Sequence, residues 1–317
     1  MKRLGALVLA VLMVAAAFAA RGALGGDDGE EATERDESRA AGIVCARDLA
    51  AVCAAAGVTL AGEPEAGATA DALIAADDPS ELGGEAWLVT SAWAAVVADE
   101  RARNRDEPLF EVSGAPLASS PVVLALWADR APQLAARCGL AADAAPGWRC
   151  LAEQAGTALD GGDRVSAGMP DVDTATGLAV AGAQAVDLLG RTDFGSNDFD
   201  GTFRSLADRL AGGQLGDPLQ VMRSRGPGQV TAAGTVVAEA ANLASSFGSI
   251  RPTVAEPAVR ADVVLVVPAG AEVSDADRTS LAEALLAAGW DPPSSDPDGL
   301  PSGGVLAAIR TLWTQNR

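Results

Sequence analysis

The sequence predicts an α/β protein of two lobes, each a mainly parallel sheet flanked by helices, with two crossover strands joining them. Three observations carry this. From residue 42 onward, short apolar runs alternate with Ala-rich stretches that stop at Gly or Pro, the pattern of β-α-β units. Residues 116–129 read PLASSPVVLALWAD, where small hydroxyl residues lead into an almost unbroken apolar run, as in a strand buried on both faces. A second run of the same character, DVVLVV over 262–267, ends at Pro268 far downstream. Two such ribbons, near residues 121 and 263, suit a pair of connections between lobes.

The elements follow in order. Residues 42–46 (GIVCA) read as a first strand, and 48–56 as a helix stopped by Gly57. Residues 58–61 give a second strand and 68–76 a second helix, ended by Asp77-Asp78-Pro79. Residues 86–90 (AWLVT) are a third strand, and Ser91 is placed to cap a helix over 92–103. Beyond the central ribbon, 132–138 and 148–155 are short helices around a Pro/Gly loop. Residues 164–170 form a strand running into a turn, and Asp173-Thr174-Ala175-Thr176 opens a long helix over 175–189. Helices over 199–210, 218–224 and 232–244 come next, the first ended by Gly212-Gly213. After the ribbon at 262–267, a helix over 277–288 stops at Gly289, and 303–313 is the last helix. Trp87, Trp93 and Trp127 fall within apolar segments and are assigned to the core, with Trp93 also able to flank a cleft.

Composition narrows the function. The chain has 317 residues, of which 49% are hydrophobic but only 4% aromatic, so small side chains must pack helices closely on sheets. A net charge of −20 excludes nucleic-acid binding by counterion release. Histidine is absent, which removes the usual general base and the usual zinc ligand, and Lys2 is the only lysine. No G-x-S-x-G elbow, P-loop or H-E-x-x-H is present. The acidic turn over 193–201 offers oxygen ligands but lacks the calcium-loop spacing. No catalytic, metal or cofactor site is assigned, and the chain is not read as an enzyme. A hydrolase working through paired carboxylates is the weakest of three functional readings.

The first residues are basic, and 4–20 are continuously apolar. Residues 1–26 are expected to be a secretory signal or a membrane anchor, and 27–41 a flexible acidic tether. Four cysteines fit an oxidising compartment, and proximity favours Cys45–Cys53 and Cys138–Cys150 among the three possible pairings. Export to the outer face of the cytoplasmic membrane follows. The first lobe is expected to comprise 42–120 and 262–317, and the second 121–261.

The "LA-x-S/N-P-hydrophobic" element within PLASSPVVLALWAD resembles the crossover of type 2 periplasmic solute-binding proteins, molybdate-type binders in particular. Residues 167–177 (AGMPDVDTATG) resemble the strand-turn-helix of their second lobe. Residues 222–228 (MRSRGPG) and the tail from Gly299 (GLPSGGVL) resemble actinobacterial secreted proteins carrying such a domain. The resemblance covers about residues 42–313 and implies a ligand cleft that closes by hinge motion.

Helix starts and strand ends at such a cleft present free N–H groups and hydroxyls. This chain offers them at Arg47 and Asp48, at Ser91, at Ser119 and Ser120, and at Thr174 and Thr176. These seven are the expected ligand-binding residues. The expected ligand is a small polar or anionic solute, although the tyrosine that often contacts the anion in this family is missing. An ABC-type permease or an envelope protein is the expected partner, the N-terminal segment the link to the membrane, and a monomer the expected state. The alternative is an envelope interaction module that keeps the two-lobe fold without transport.

Overall fold

The structure, a computed structural model, describes residues 42–141, 143–211, 217–246, 249–254 and 257–315. The expected signal or anchor and the tether lie outside the described residues, as does the Gly212-Gly213 stop. The strands are β1 (Ile43–Cys45), β2 (Leu60–Gly62), β3 (Ala86–Thr90), β4 (Phe110–Val112), β5 (Ala118–Trp127), β6 (Ala167–Gly168), β7 (Ala232–Val236), β8 (Ile250–Val254) and β9 (Arg260–Pro268). The helices are α1 (Ala50–Ala56), α2 (Ala66–Ala75), α3 (Ser91–Asn104), α4 (Ala131–Arg137), α5 (Trp148–Gln154), α6 (Ala175–Leu189), α7 (Gly201–Ala211), α8 (Pro218–Arg225), α9 (Val237–Ser246), α10 (Asp275–Ala287) and α11 (Gly303–Gln315).

The strands run in the order β2-β1-β3-β9-β5-β7-β6, with β4 added to β9 and β8 to β5. Strand β5 belongs to both halves of this array. Its start pairs with β9, Ala118 opposite Val263 and Pro121 opposite Arg260. Its remainder lies between β7 and β8, with Leu124 opposite Gly234 on one side and Thr253 on the other. The outer ladders β1–β2, β1–β3 and β6–β7 are parallel, while β5 and β9 run antiparallel to their neighbours. The fold is the two-lobe α/β arrangement with helices on the sheet faces. β5 makes one passage between the half-sheets, and the return lies between β8 and β9.

Apolar side chains explain the strength of this centre. Leu124, Ala125, Leu126, Val263 and Val267 are fully or almost fully buried, as β-branched and aliphatic runs between two covered faces must be. Trp87 and Trp93 are fully enclosed and Trp127 nearly so. Both cysteine pairings expected from proximity are formed, Cys45–Cys53 and Cys138–Cys150.

Three expectations are corrected. Residues 232–244 are not one helix: 232–236 are strand β7, and α9 starts only at Val237. The segment pairs with β5 on one side and β6 on the other, and Gly234 lets it pack closely, since a Cβ there would lie 2.4 Å from the Trp148 ring and 2.6 Å from Val180. The strand can approach α5 and α6 only without a side chain. Ser91 is the first residue of α3 rather than its cap. Thr90 holds the cap position, and neither hydroxyl closes the turn there. Strands β4 and β8, short and mostly exposed, were not expected from the sequence.

Candidate functional site

Helix α6 is the element on which the site is built. Its fifteen residues are nearly all buried, and the helix packs against strands of both half-sheets. Thr174 caps it, accepting from the Gly177 N–H at 3.0 Å and donating to the Asp171 carbonyl at 2.8 Å. Gly177 is required: a Cβ there would lie 1.8 Å from the Asp171 carbonyl oxygen. The turn before α6 is thereby folded tightly on itself, and the N–H groups of Ala175 and Thr176 have no acceptor within the helix.

Those N–H groups are not left for a ligand. Asp48, in a short 3-10 turn after β1, accepts from Ala175 N–H on Oδ1 at 3.0 Å and from Thr176 N–H on Oδ2 at 3.1 Å. The Thr176 hydroxyl stands 3.3 Å from Asp48 Oδ2 and 3.4 Å from Glu239 Oε1. Four further contacts fix the same turn. Thr90 donates its hydroxyl to the Ala175 carbonyl, and Trp93 donates Nε1–H to the Thr174 carbonyl at 2.8 Å. Gly67 N–H donates to the Asp173 carbonyl at 2.9 Å. Arg310 Nε–H donates to Asp173 Oδ1 at 2.8 Å while its guanidinium lies 5.0 Å from the centre of a Trp93 ring and bonds Asp71.

Beside this turn opens a cavity of about 560 Å³, lined by Asp48, the 170–176 turn, the start of α8 and the polar side of α9. Asp217 caps α8 by accepting from the Leu219 and Gln220 N–H groups at 3.0 and 3.2 Å. Glu239 accepts from the Thr235 hydroxyl. Burial pushes its carboxyl up to about 7, with the negative charges of Asp48 and Asp217 adding to that and the Thr235 and Thr176 hydroxyls opposing it. The lining carries four carboxyl groups, Asp48, Asp171, Asp217 and Glu239, against one guanidinium, Arg223. Its potential therefore favours neutral or positively charged solutes over anions.

Of the seven expected ligand residues, Asp48, Thr174 and Thr176 line this cavity. Ser120 supports it from behind by accepting from the Ala238 N–H at the start of α9, at 3.2 Å. The other three are elsewhere engaged. Ser119 is buried in the crossover, donating to Asp262 and accepting from Arg260 Nε–H at 2.8 Å. Burial pushes the Asp262 carboxyl above its ordinary range, opposed by that Ser119 bond. Ser91 donates to Asp298 at 3.0 Å. Arg47 forms an exposed ion pair with Glu65. Asp217, Glu239, Arg223 and Asn242 were missed. The pair Asp217-Pro218, an acidic cap followed by Pro at the first helical position, was the available signal.

A second cavity, of about 540 Å³, lies between α2, α3 and α11, but its arginines are already paired, Arg103 with Glu100 and Arg310 with Asp71. Among the described residues, no three Asp, Glu, Cys or His side chains are arranged to hold a metal ion.

No protein-family model matches the chain, and no curated protein matches it. Solved structures do. Iron-bound HitA from Pseudomonas aeruginosa superposes with a TM-score of 0.56 at 11% identity, over 87% of this chain and 99% of that one. The periplasmic binding protein AfuA from Actinobacillus pleuropneumoniae, with fructose-6-phosphate bound, gives 0.54 at 13% identity, over 86% and 96%. The ferric binding protein from Campylobacter jejuni gives 0.50 at 9% identity, over 86% and 96%. At these identities the likeness is one of fold, and it extends over almost the whole of each of these proteins.

Proposed function

We propose that the chain is an extracytoplasmic solute-binding protein that takes a small polar solute into the cavity beside the first turn of α6. The observation that carries this reading is the coincidence of the two-lobe binding-protein fold with a cavity of about 560 Å³ at the α6 start, where hydroxyls and carboxylates converge. The acidic lining favours a neutral or amine-bearing solute within the expected range, and disfavours an anion. In this reading 42–120 with 262–317 form the first lobe and 121–261 the second. The two disulfides agree with an oxidising compartment. The 1–26 segment would direct export or hold the protein at the membrane, and an ABC-type permease would receive the solute. The binding role requires no catalytic group.

A second reading, an envelope interaction module without transport, draws support from the bonds that Asp48, Gly67, Thr90, Trp93 and Arg310 make to residues 173–176. They fasten the half-sheets to each other across the groove that a receptor would open.

The two separate in a thermal-shift panel of amino acids, sugars, diamines and oxyanions. A solute at 100 times its Kd stabilises by roughly 2.7 kcal/mol, which raises the midpoint by several degrees. A response to one class of polar or amine-bearing solute supports the receptor. Flat melts across the panel count for the interaction module.

A further inference from the structure

A helix start that faces a cleft between two lobes is a position where a bound anion would sit. Here that position is filled from within. Asp48 stands 127 residues before Ala175 in the chain, yet its two oxygens each meet one N–H of α6, and a third donor, the Thr176 hydroxyl, completes the set. This is the bonding that a free carboxylate or other oxyanion would make there. The contact is not an isolated surface pairing. Thr90 of β3, Gly67 of α2 and Trp93 of α3 each add one bond to the main chain of the same turn, and Arg310 adds one to its Asp173 side chain.

We infer that Asp48 is an intramolecular ligand: its carboxylate occupies the anion position at the α6 start, latching the groove shut there and closing that position to anionic solutes. The inference rests on the two-lobe reading and adds to it the residue that sets solute charge. An anion entering this place must displace a carboxylate that is held at high local concentration by the chain itself. It would also meet Glu239 and Asp217 at the cavity wall. A neutral or positively charged solute displaces nothing and keeps Asp48 as a neighbour. Removing the Asp48 carboxylate converts the α6 start into an open anion position bounded by the Ala175 and Thr176 N–H groups and the Thr176 hydroxyl.

The test is chemical rescue of Asp48→Gly. The full chain and the variant are melted in the presence of formate, acetate or sulfate, with sodium chloride at equal ionic strength as the reference. The variant is expected to melt lower than the parent and to regain part of the loss in formate or acetate, saturably, while the parent shows no anion-specific response. A variant that no oxyanion raises above the chloride reference overturns the inference, as does a parent raised equally. Asp48→Asn keeps the side-chain volume and serves if the glycine variant does not fold. Amide exchange at Ala175 and Thr176 should then quicken at least tenfold while exchange at Val263 and Leu265 stays unchanged, and unaltered exchange at Ala175 and Thr176 overturns the inference. A rescued variant with a flat solute panel on the parent leaves the latch standing and removes the receptor reading. A solute-responsive parent with an unrescued variant does the reverse.

Discussion

Replacing Glu239 by glutamine separates the cavity's electrostatics from its shape. The carboxyl titrates near 4.5 in an unfolded chain and at about 7 in the fold, chiefly because burial removes water from its charged form. The sign follows from proton counting. Below pH 4.5 both states hold the proton, and Glu239 imposes no pH dependence. Between 4.5 and 7 only the folded state holds it, so stability falls as pH rises. Above 7 the loss is complete. At ~1.4 kcal/mol per pH unit, the gap between 4.5 and about 7 amounts to roughly 3 kcal/mol, an upper figure because Glu239 keeps an edge on the open cavity. Glutamine cannot ionise, yet its carbonyl and amide can still bond the Thr235 and Thr176 hydroxyls. Urea unfolding of both proteins from pH 4.5 to 8.5 is the assay. The variant should gain on the parent steadily up to pH 7 and hold a constant lead above it. Asp187 and Asp262, whose carboxyls burial also raises, tilt both curves alike, so the difference belongs to Glu239. A difference that does not change with pH refutes the argument.

Two further predictions concern the frame. Arg101 is buried in α3 and donates to the carbonyls of Leu73, Ile74 and Ala76 at the end of α2 and to Glu107, so Arg101→Met should leave these acceptors unpaired and cost about 3 kcal/mol in urea unfolding, with the m-value unchanged. Replacing Cys45 and Cys53 together by Ala reopens a loop closed at a separation of eight residues, which should cost about 2–3 kcal/mol, and the 48–56 segment that positions Asp48 should exchange its amides faster.

Much of this fold was legible because its signals were local. The α6 boundaries follow from Asp173-Thr174 before a run of small apolar residues and Gly190 after it, and α6 spans 175–189 as expected. The central ribbon was legible for the same reason, since an apolar run of that length has nowhere to go except between two covered faces. Strand β7 was not legible. Its AAGTV sequence continues into Ala-rich α9 without a break, and the extended chain there is set by long-range pairing with β5 and β6. Strands β4 and β8 are short and mostly exposed, so too few residues face the core to mark them. The site was half legible. Helix-start hydroxyls at Thr174 and Thr176 were found because capping has a sequence signature. Whether such a start faces solvent, a solute or the protein's own carboxylate depends on a contact 127 residues long, and no spacing rule carries that. Ser119 illustrates the converse, a polar residue in a promising position that the crossover itself consumes through Asp262 and Arg260.

The central claim is that a small solute enters the cavity walled by the α6 start, α8 and α9. Two-dimensional amide NMR of the labelled chain, titrated with the panel of amino acids, sugars and diamines, tests it most directly. The account predicts saturable shifts for one solute class, confined to amides of residues 171–176, 219–223 and 239–242. Shifts centred instead on residues 71–103 and 304–311, around the second cavity, or spectra that none of these solutes moves, would contradict it.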